Sequence, residues 1–178
     1  MKKLIAKVLF LAMACTFLLG AAACSTSSSK SNQGEEKTPV EIDYSLYPES
    51  FADWSIANLK DYLRKADIFQ NNDWIFDMSA GDLGAVGAVA GTMYVDVTAG
   101  TITDIIMYLD TDSAALESVR EKHELAPEGA TEGTPMDALV GNFAFSYGLG
   151  ADDAHIDALV TAVKDLAEHY NVTPDYIN

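Results

Sequence analysis

The body of this chain is expected to be an α+β fold. It should have two layers, a mostly antiparallel sheet with helices packed on one face. Three observations predict this. Ile156, Leu159, Val160, Val163, Leu166, Ala167 and Tyr170 recur at helical spacing and make a wide apolar stripe. Thr92–Thr98 and Thr101–Leu109 flank Ala99–Gly100, and Gly100 can take a positive φ, so the two runs read as a hairpin. The order along the chain is helix, strand, hairpin, helix, strand, helix, which an antiparallel sheet covered by helices accommodates best.

The elements follow in order. Ile42, Tyr44, Leu46 and Tyr47 form an apolar lead-in laid over the core. Ser55 caps a first helix, whose inner side is Ile56, Leu59, Tyr62, Leu63 and Ala66. Lys60, Asp61, Arg64 and Lys65 form its wet side, and Asn71–Asn72–Asp73 ends the unit as a turn. From Trp74 to Met78, Trp74, Phe76 and Met78 alternate with Ile75 and Asp77, a strand pattern. Gly81, Gly84, Gly87 and Gly91 then alternate with Leu83, Val86 and Val89. They read as a turn followed by a small-residue strand or bulged approach into Thr92–Val97.

After the hairpin, Asp110–Thr111–Asp112–Ser113 offers several caps to a second helix. Leu116, Val119 and His123 lie along one side of it. Pro127–Pro135 reads as an exposed loop. Leu139–Tyr147 reads as one strand, with Leu139, Gly141, Phe143, Phe145 and Tyr147 on one face. Gly148–Leu149–Gly150 breaks it. Asp152 or Asp153 caps the last helix, and Pro174 is expected to stop it.

The N-terminus is of a different kind. Lys2, Lys3 and Lys7 precede an uncharged apolar run from Val8 to Ala23. As a helix that run would reach about 24 Å, short of the ~30 Å hydrocarbon core. A basic start, a short apolar stretch and small residues before a cut describe a secretory signal peptide, not a span. Its end, Ala21–Ala22–Ala23–Cys24, resembles the lipobox of bacterial lipoproteins, with Ala21 where that family usually has Leu. The resemblance covers residues 1–24 alone. It implies cleavage before Cys24 and a diacylglycerol on the Cys24 thiol. An ordinary signal peptide with a chance cysteine is the plainer reading. Cys15, in Ala12–Met13–Ala14–Cys15, is a second candidate, with an apolar core of only about seven residues before it.

If Cys24 is the lipidation site, Cys15 leaves with the signal. The one remaining sulfur is acylated, so no disulfide forms even in a compartment that permits one. Two or more acyl chains hold a protein durably, at ~0.8 kcal/mol per buried CH₂. Ser25–Lys37 contains no apolar residue and cannot bury a core. The chain is therefore expected to divide into a signal at 1–23, a lipidated Cys24 with a flexible tether to 38, and one domain at 39–178. That last piece is about 140 residues, enough for a single core and too small for a two-lobed receptor.

Charge narrows the partners. The chain carries 11 basic and 27 acidic residues, a net charge of −16. Loss of Lys2, Lys3 and Lys7 leaves 8 basic residues and −19. Such a surface repels nucleic acid and favours solubility or cationic partners.

Motifs for chemistry are sparse. The glycine run with Asp104 downstream lacks the G-x-G-x-x-G spacing of a dinucleotide loop. Asp110, Asp112 and Glu117 lack the rest of a calcium loop, and helix capping accounts for the aspartates, as it does for Asp152, Asp153 and Asp157. His123, His155 and His169 share no i, i+4 spacing, so a zinc site is not indicated. His155 and Asp152 would be neighbours at a helix start. Ser146 lies outside any G-x-S-x-G. The aromatics Tyr44, Tyr47, Phe51, Trp54 and Trp74, then Phe143, Phe145, Tyr147 and Tyr170, are expected in the core, with an exposed glycan- or protein-binding patch as the other reading.

No catalytic residue, metal ligand or cofactor is assigned, and Cys24 is the one named site. The function expected is a lipid-anchored extracytoplasmic binding or interaction module of unassigned ligand. It would be monomeric, on the outer face of a membrane, with a Gram-positive one favoured. Its partner would be an envelope protein, a glycan or a small molecule. The alternatives are an envelope hydrolase with an acid pair or metal that leaves no motif, and an assembly accessory with no ligand.

Overall fold

The structure, a computed structural model, describes residues 41–69, 73–126, 130, 132–147 and 149–178. The signal, Cys24, the tether, the Asn71–Asn72 turn and part of the Pro127–Pro135 loop lie outside the described residues. Ile42–Asn178 packs as one compact unit.

Helix α1 is Ile56–Lys65, α2 Ala80–Val86, α3 Ala114–Lys122 and α4 Asp153–His169. Strand β1 is Asp73–Asp77, β2 Ala88–Asp96, β3 Thr101–Leu109, β4 Glu124–Leu125, β5 Thr134–Pro135, β6 Ala138–Val140, β7 Phe143–Tyr147 and β8 Tyr176–Ile177. Six of them form one sheet in the order β1-β2-β3-β7-β6-β8, and β4 pairs with β5 apart from it. Every pairing is antiparallel. The chain is an α+β protein.

Local chemistry sets the ends of the elements. Ser55 and Asn58 close α1 with a capping box, each side chain taking a backbone N–H of the other's residue. The hairpin β2–β3 turns where Gly100, at φ 67°, donates its N–H to the Asp96 carbonyl. Asp96 Oδ1 accepts from the N–H groups of Thr98 and Ala99, at 2.7 and 3.0 Å.

Three segments differ from the sequence reading. The glycine run opens as a helix, α2, in place of the expected turn, while its second half, Ala88–Gly91, is the start of strand β2, with a register irregularity between Ala88 and Ala90. Ser79 caps α2 by accepting from Asp82 N, Leu83 and Val86 face inward, and Gly87 ends it at φ 69°. Those two caps supply what the weak helix propensity of glycine lacks. Secondly, Leu139–Tyr147 is not one strand but the hairpin β6–β7. Gly141, at φ 56°, and Asn142 form its two-residue loop. Leu139 therefore pairs with Ala144 and faces away from Phe143 and Phe145. Thirdly, the residues after Pro174 add strand β8 to the sheet edge.

Residues opposite one another in the ladder share a face, so the register assigns the core. Tyr94, Ile106, Phe143, Phe145, Ala138 and Val140 lie on the face that packs with Leu59, Tyr62 and Leu63 of α1 and Leu159, Val163 and Leu166 of α4. Tyr62 Oη donates to the Ala162 carbonyl at 2.8 Å and pins the two helices together. On the opposite face, Met107, Leu139 and Ala144 are also buried. Gly91 on that face leaves room for Met107, Met78 and Leu83 of α2, all of which a Cβ there would strike.

Candidate functional site

The sheet carries one carboxylate into the helix-covered core. Asp104, in β3, stands opposite Tyr94 of β2 on one side and Tyr147 of β7 on the other. It is 1 % exposed. The register between β2 and β3 shifts just beyond it, between Tyr94 and Val95, leaving Thr103 without an opposite residue. Such an irregularity adds local twist and re-aims neighbouring side chains.

The partner of Asp104 comes from the first turn of α4. Asp152 caps that helix by accepting from His155 N at 2.9 Å. This cap fixes the start of α4 and sends the His155 ring toward the sheet. His155 Nε2 then lies 2.8 Å from Asp104 Oδ2. The imidazole is 19 % exposed while the carboxylate it meets is buried, so the pair runs from the surface inward.

Two polar atoms in this cluster are left over. Asp104 Oδ1 and Tyr94 Oη are buried with no hydrogen-bond partner. Burial dominates the environment of Tyr94 and pushes its phenol well above the usual tyrosine range. The nearby Asp104 and Asp77 charges push the same way, and Arg64 opposes them. Phe69 stacks on Tyr94 with ring centres 3.4 Å apart and planes 5° apart, and its ring centre is 5.9 Å from that of His155. An unpaired buried polar atom costs about 1–3 kcal/mol, so the pair of them is expensive. The chemistry on offer is one open carboxylate oxygen, one phenol oxygen and aromatic walls.

The other residues named from the sequence are dispersed. Asp110 and Asp112 are exposed. Ser113, not either aspartate, caps α3, accepting from Leu116 N and donating to the Asp110 carbonyl. Glu117 lies in the first turn of α3. Asp153 and Asp157 are exposed on α4. Among the described residues no group of three or more His, Cys, Asp or Glu could hold a metal ion.

The histidines occupy three separate places. His123 ends α3 at φ 55° and stacks on Tyr176, ring centres 3.7 Å apart. His169 stacks on Tyr44 at 3.5 Å. His155 alone meets a buried acid. Ser146 is buried opposite Ile105, on the face away from α4. The early aromatics are core: Tyr47, Phe51 and Trp54 are nearly fully buried and pack against Tyr62, Tyr170 and Phe143. Trp74 lies in β1. No described helix is long and apolar enough to cross a membrane.

Sequence reasoning placed His155 beside Asp152 and gave Asp104 no partner. The Asp152 contact exists, but through the backbone of His155. The available signal was a lone aspartate among Ile102, Ile105 and Ile106, where a strand pattern expects no charge inside.

No protein-family model matches the chain, and no curated protein or solved structure matches it.

Proposed function

We propose that this protein is a lipoprotein held on the outer face of a membrane through Cys24, and that its domain binds a partner without transforming it. The leader supports the anchor: Lys2, Lys3 and Lys7, the apolar run, and Ala21–Ala22–Ala23–Cys24. The observation that carries the binding role is the unsatisfied polar centre at Asp104 and Tyr94. A core whose polar groups are left open breaks the rule of consistent burial, and folds break that rule where they do something. The partner is an envelope protein, a glycan or a small molecule. With a net charge of −16 the protein does not take nucleic acid.

The second reading, an envelope hydrolase, has the Asp104–His155 pair in its favour, since a carboxylate that orients an imidazole is a general-base arrangement. Two measurements test the first reading, and a third would establish the second. Mass spectrometry of the exported protein should show an acylated Cys24 at its N-terminus. Purified lipid-free protein should then capture a partner from envelope extract or wall fragments and return it unchanged. Turnover of a hydrolase substrate panel, lost in His155→Gln, would instead establish the enzyme.

A further inference from the structure

Four side chains from four places in the chain meet under the first turn of α4: Phe69, Tyr94, Asp104 and His155. Their roles in packing differ. Phe69 and Tyr94 stack face to face, and His155 occupies one carboxylate oxygen of Asp104. The second oxygen, Oδ1, and the phenol of the cross-strand neighbour Tyr94 are both buried and both unpartnered.

We propose that Asp104 Oδ1 and Tyr94 Oη form an internal site for a small hydrogen-bond-donating cation, an ammonium or primary amine, reached past the His155 ring. This rests on the binding reading above and gives it a ligand chemistry.

Asp104 Oδ1 is an acceptor, so its missing partner is a donor. A carboxylate in an apolar core is best answered by a positive charge, because a charge-assisted hydrogen bond is roughly twice as strong as a neutral one. A primary ammonium group has three N–H donors. One can reach Asp104 and another Tyr94 Oη, which accepts. The aromatic rings at the site suit a cation and give an anion nothing. The excess of 27 acidic over 11 basic residues raises the local concentration of cations around the domain. His155, the member of the cluster that reaches solvent, marks the way in.

The test uses methylammonium and ammonium chloride at constant ionic strength. Tetramethylammonium, with equal charge and no N–H, is the control. Binding is followed by the amide resonances of Tyr94, Asp104 and His155. Saturable shifts with the first two cations and none with the third are expected. Asp104→Asn should weaken the affinity about tenfold, and Tyr94→Phe about threefold. Tyr94→Phe keeps the ring stack, so it serves if Asp104→Asn does not fold. The proposal is overturned if no amine gives a saturable shift, if tetramethylammonium binds equally, or if Tyr94→Phe binds as the parent does. A water molecule alone then fills the gap. The capture experiment keeps the two claims apart. Envelope capture that persists without any amine effect removes this site and leaves the binding reading standing.

Discussion

His155 Nε2 lies 2.8 Å from Asp104 Oδ2, a contact that ties the first turn of α4 to an interior strand of the sheet. The two ends of the contact are unequal. The Asp104 side chain is 1 % exposed, while that of His155 is 19 % exposed. Removing the imidazole therefore strands a carboxylate whose other oxygen already lacks a partner.

His155→Ala should destabilise the domain by about 2–4 kcal/mol, because breaking a buried pair leaves an uncompensated charge. The double variant Asp104→Leu, His155→Leu removes both groups and should lose much less, or gain. Urea unfolding of the parent, both single variants and the double closes the cycle. A double variant as unstable as His155→Ala would show that the imidazole acts by packing alone.

The glycine run offers a contrast inside ten residues. A Cβ on Gly91 would lie 2.8 Å from Met107 Sδ and 3.0 Å from both Met78 Sδ and Leu83 Cδ2. The buried Met107 and Met78 and the half-buried Leu83 must shift to admit it, so Gly91→Ala should cost about 1–3 kcal/mol. Gly84, inside α2, has nothing within 4 Å of its would-be Cβ. Gly84→Ala should stabilise by about 0.5–1 kcal/mol through helix propensity. Thermal unfolding of the two variants should move in opposite directions, and a gain at Gly91 would contradict the packing described.

What the sequence discloses here follows from how local each signal is. The stripe on α4 and the hairpin around Gly100 are set by residues within a few positions of one another, and both are as expected. The cap at Ser55 is equally local. The β6–β7 hairpin is hidden because its loop is only Gly141–Asn142 inside an otherwise apolar run, which reads as one strand. Strand β8 is two residues long, too short for any period to show. α2 is built of small residues, whose pattern does not separate helix from turn until its caps are seen. The site is the least legible part. Asp104 and His155 are 51 residues apart, and their meeting depends on strand register and on where α4 docks. Its one trace in the sequence is an acid among isoleucines, Asp104 beside Ile102, Ile105 and Ile106.

Cys24→Ala should release the protein from the membrane. With the acylated thiol it should partition into the detergent phase; without it the acidic, polar-tethered domain should stay in the aqueous phase. Partition unchanged in the variant would transfer the anchor to Cys15 or to an uncleaved leader.

Alkaline pH should unfold the domain through its tyrosines. Burial, aided by the hydrogen bond to Asp61, pushes Tyr47 up to about 12. Burial, with the Asp137 charge, does the same to Tyr147, up to about 12. Burial also raises Tyr62, Tyr94 and Tyr176 further still. In the unfolded chain all five ionise near pH ~10. Between that value and the folded one the native state binds more protons than the unfolded state, so stability falls as pH rises. The contribution of Tyr47 and Tyr147 is fully present below pH ~10 and is lost as the pH climbs through about 12, and that of the other three is lost at higher pH still. Tyrosinate absorbance should therefore lag behind that of free tyrosine and then rise together with loss of the far-ultraviolet helix signal. Tyr62→Phe removes one raised group along with its bond to the Ala162 carbonyl. It should lower stability at neutral pH by about 1 kcal/mol and make the alkaline decline shallower. Tyrosines that titrate near their free value before the helix signal changes would contradict the burial of these rings.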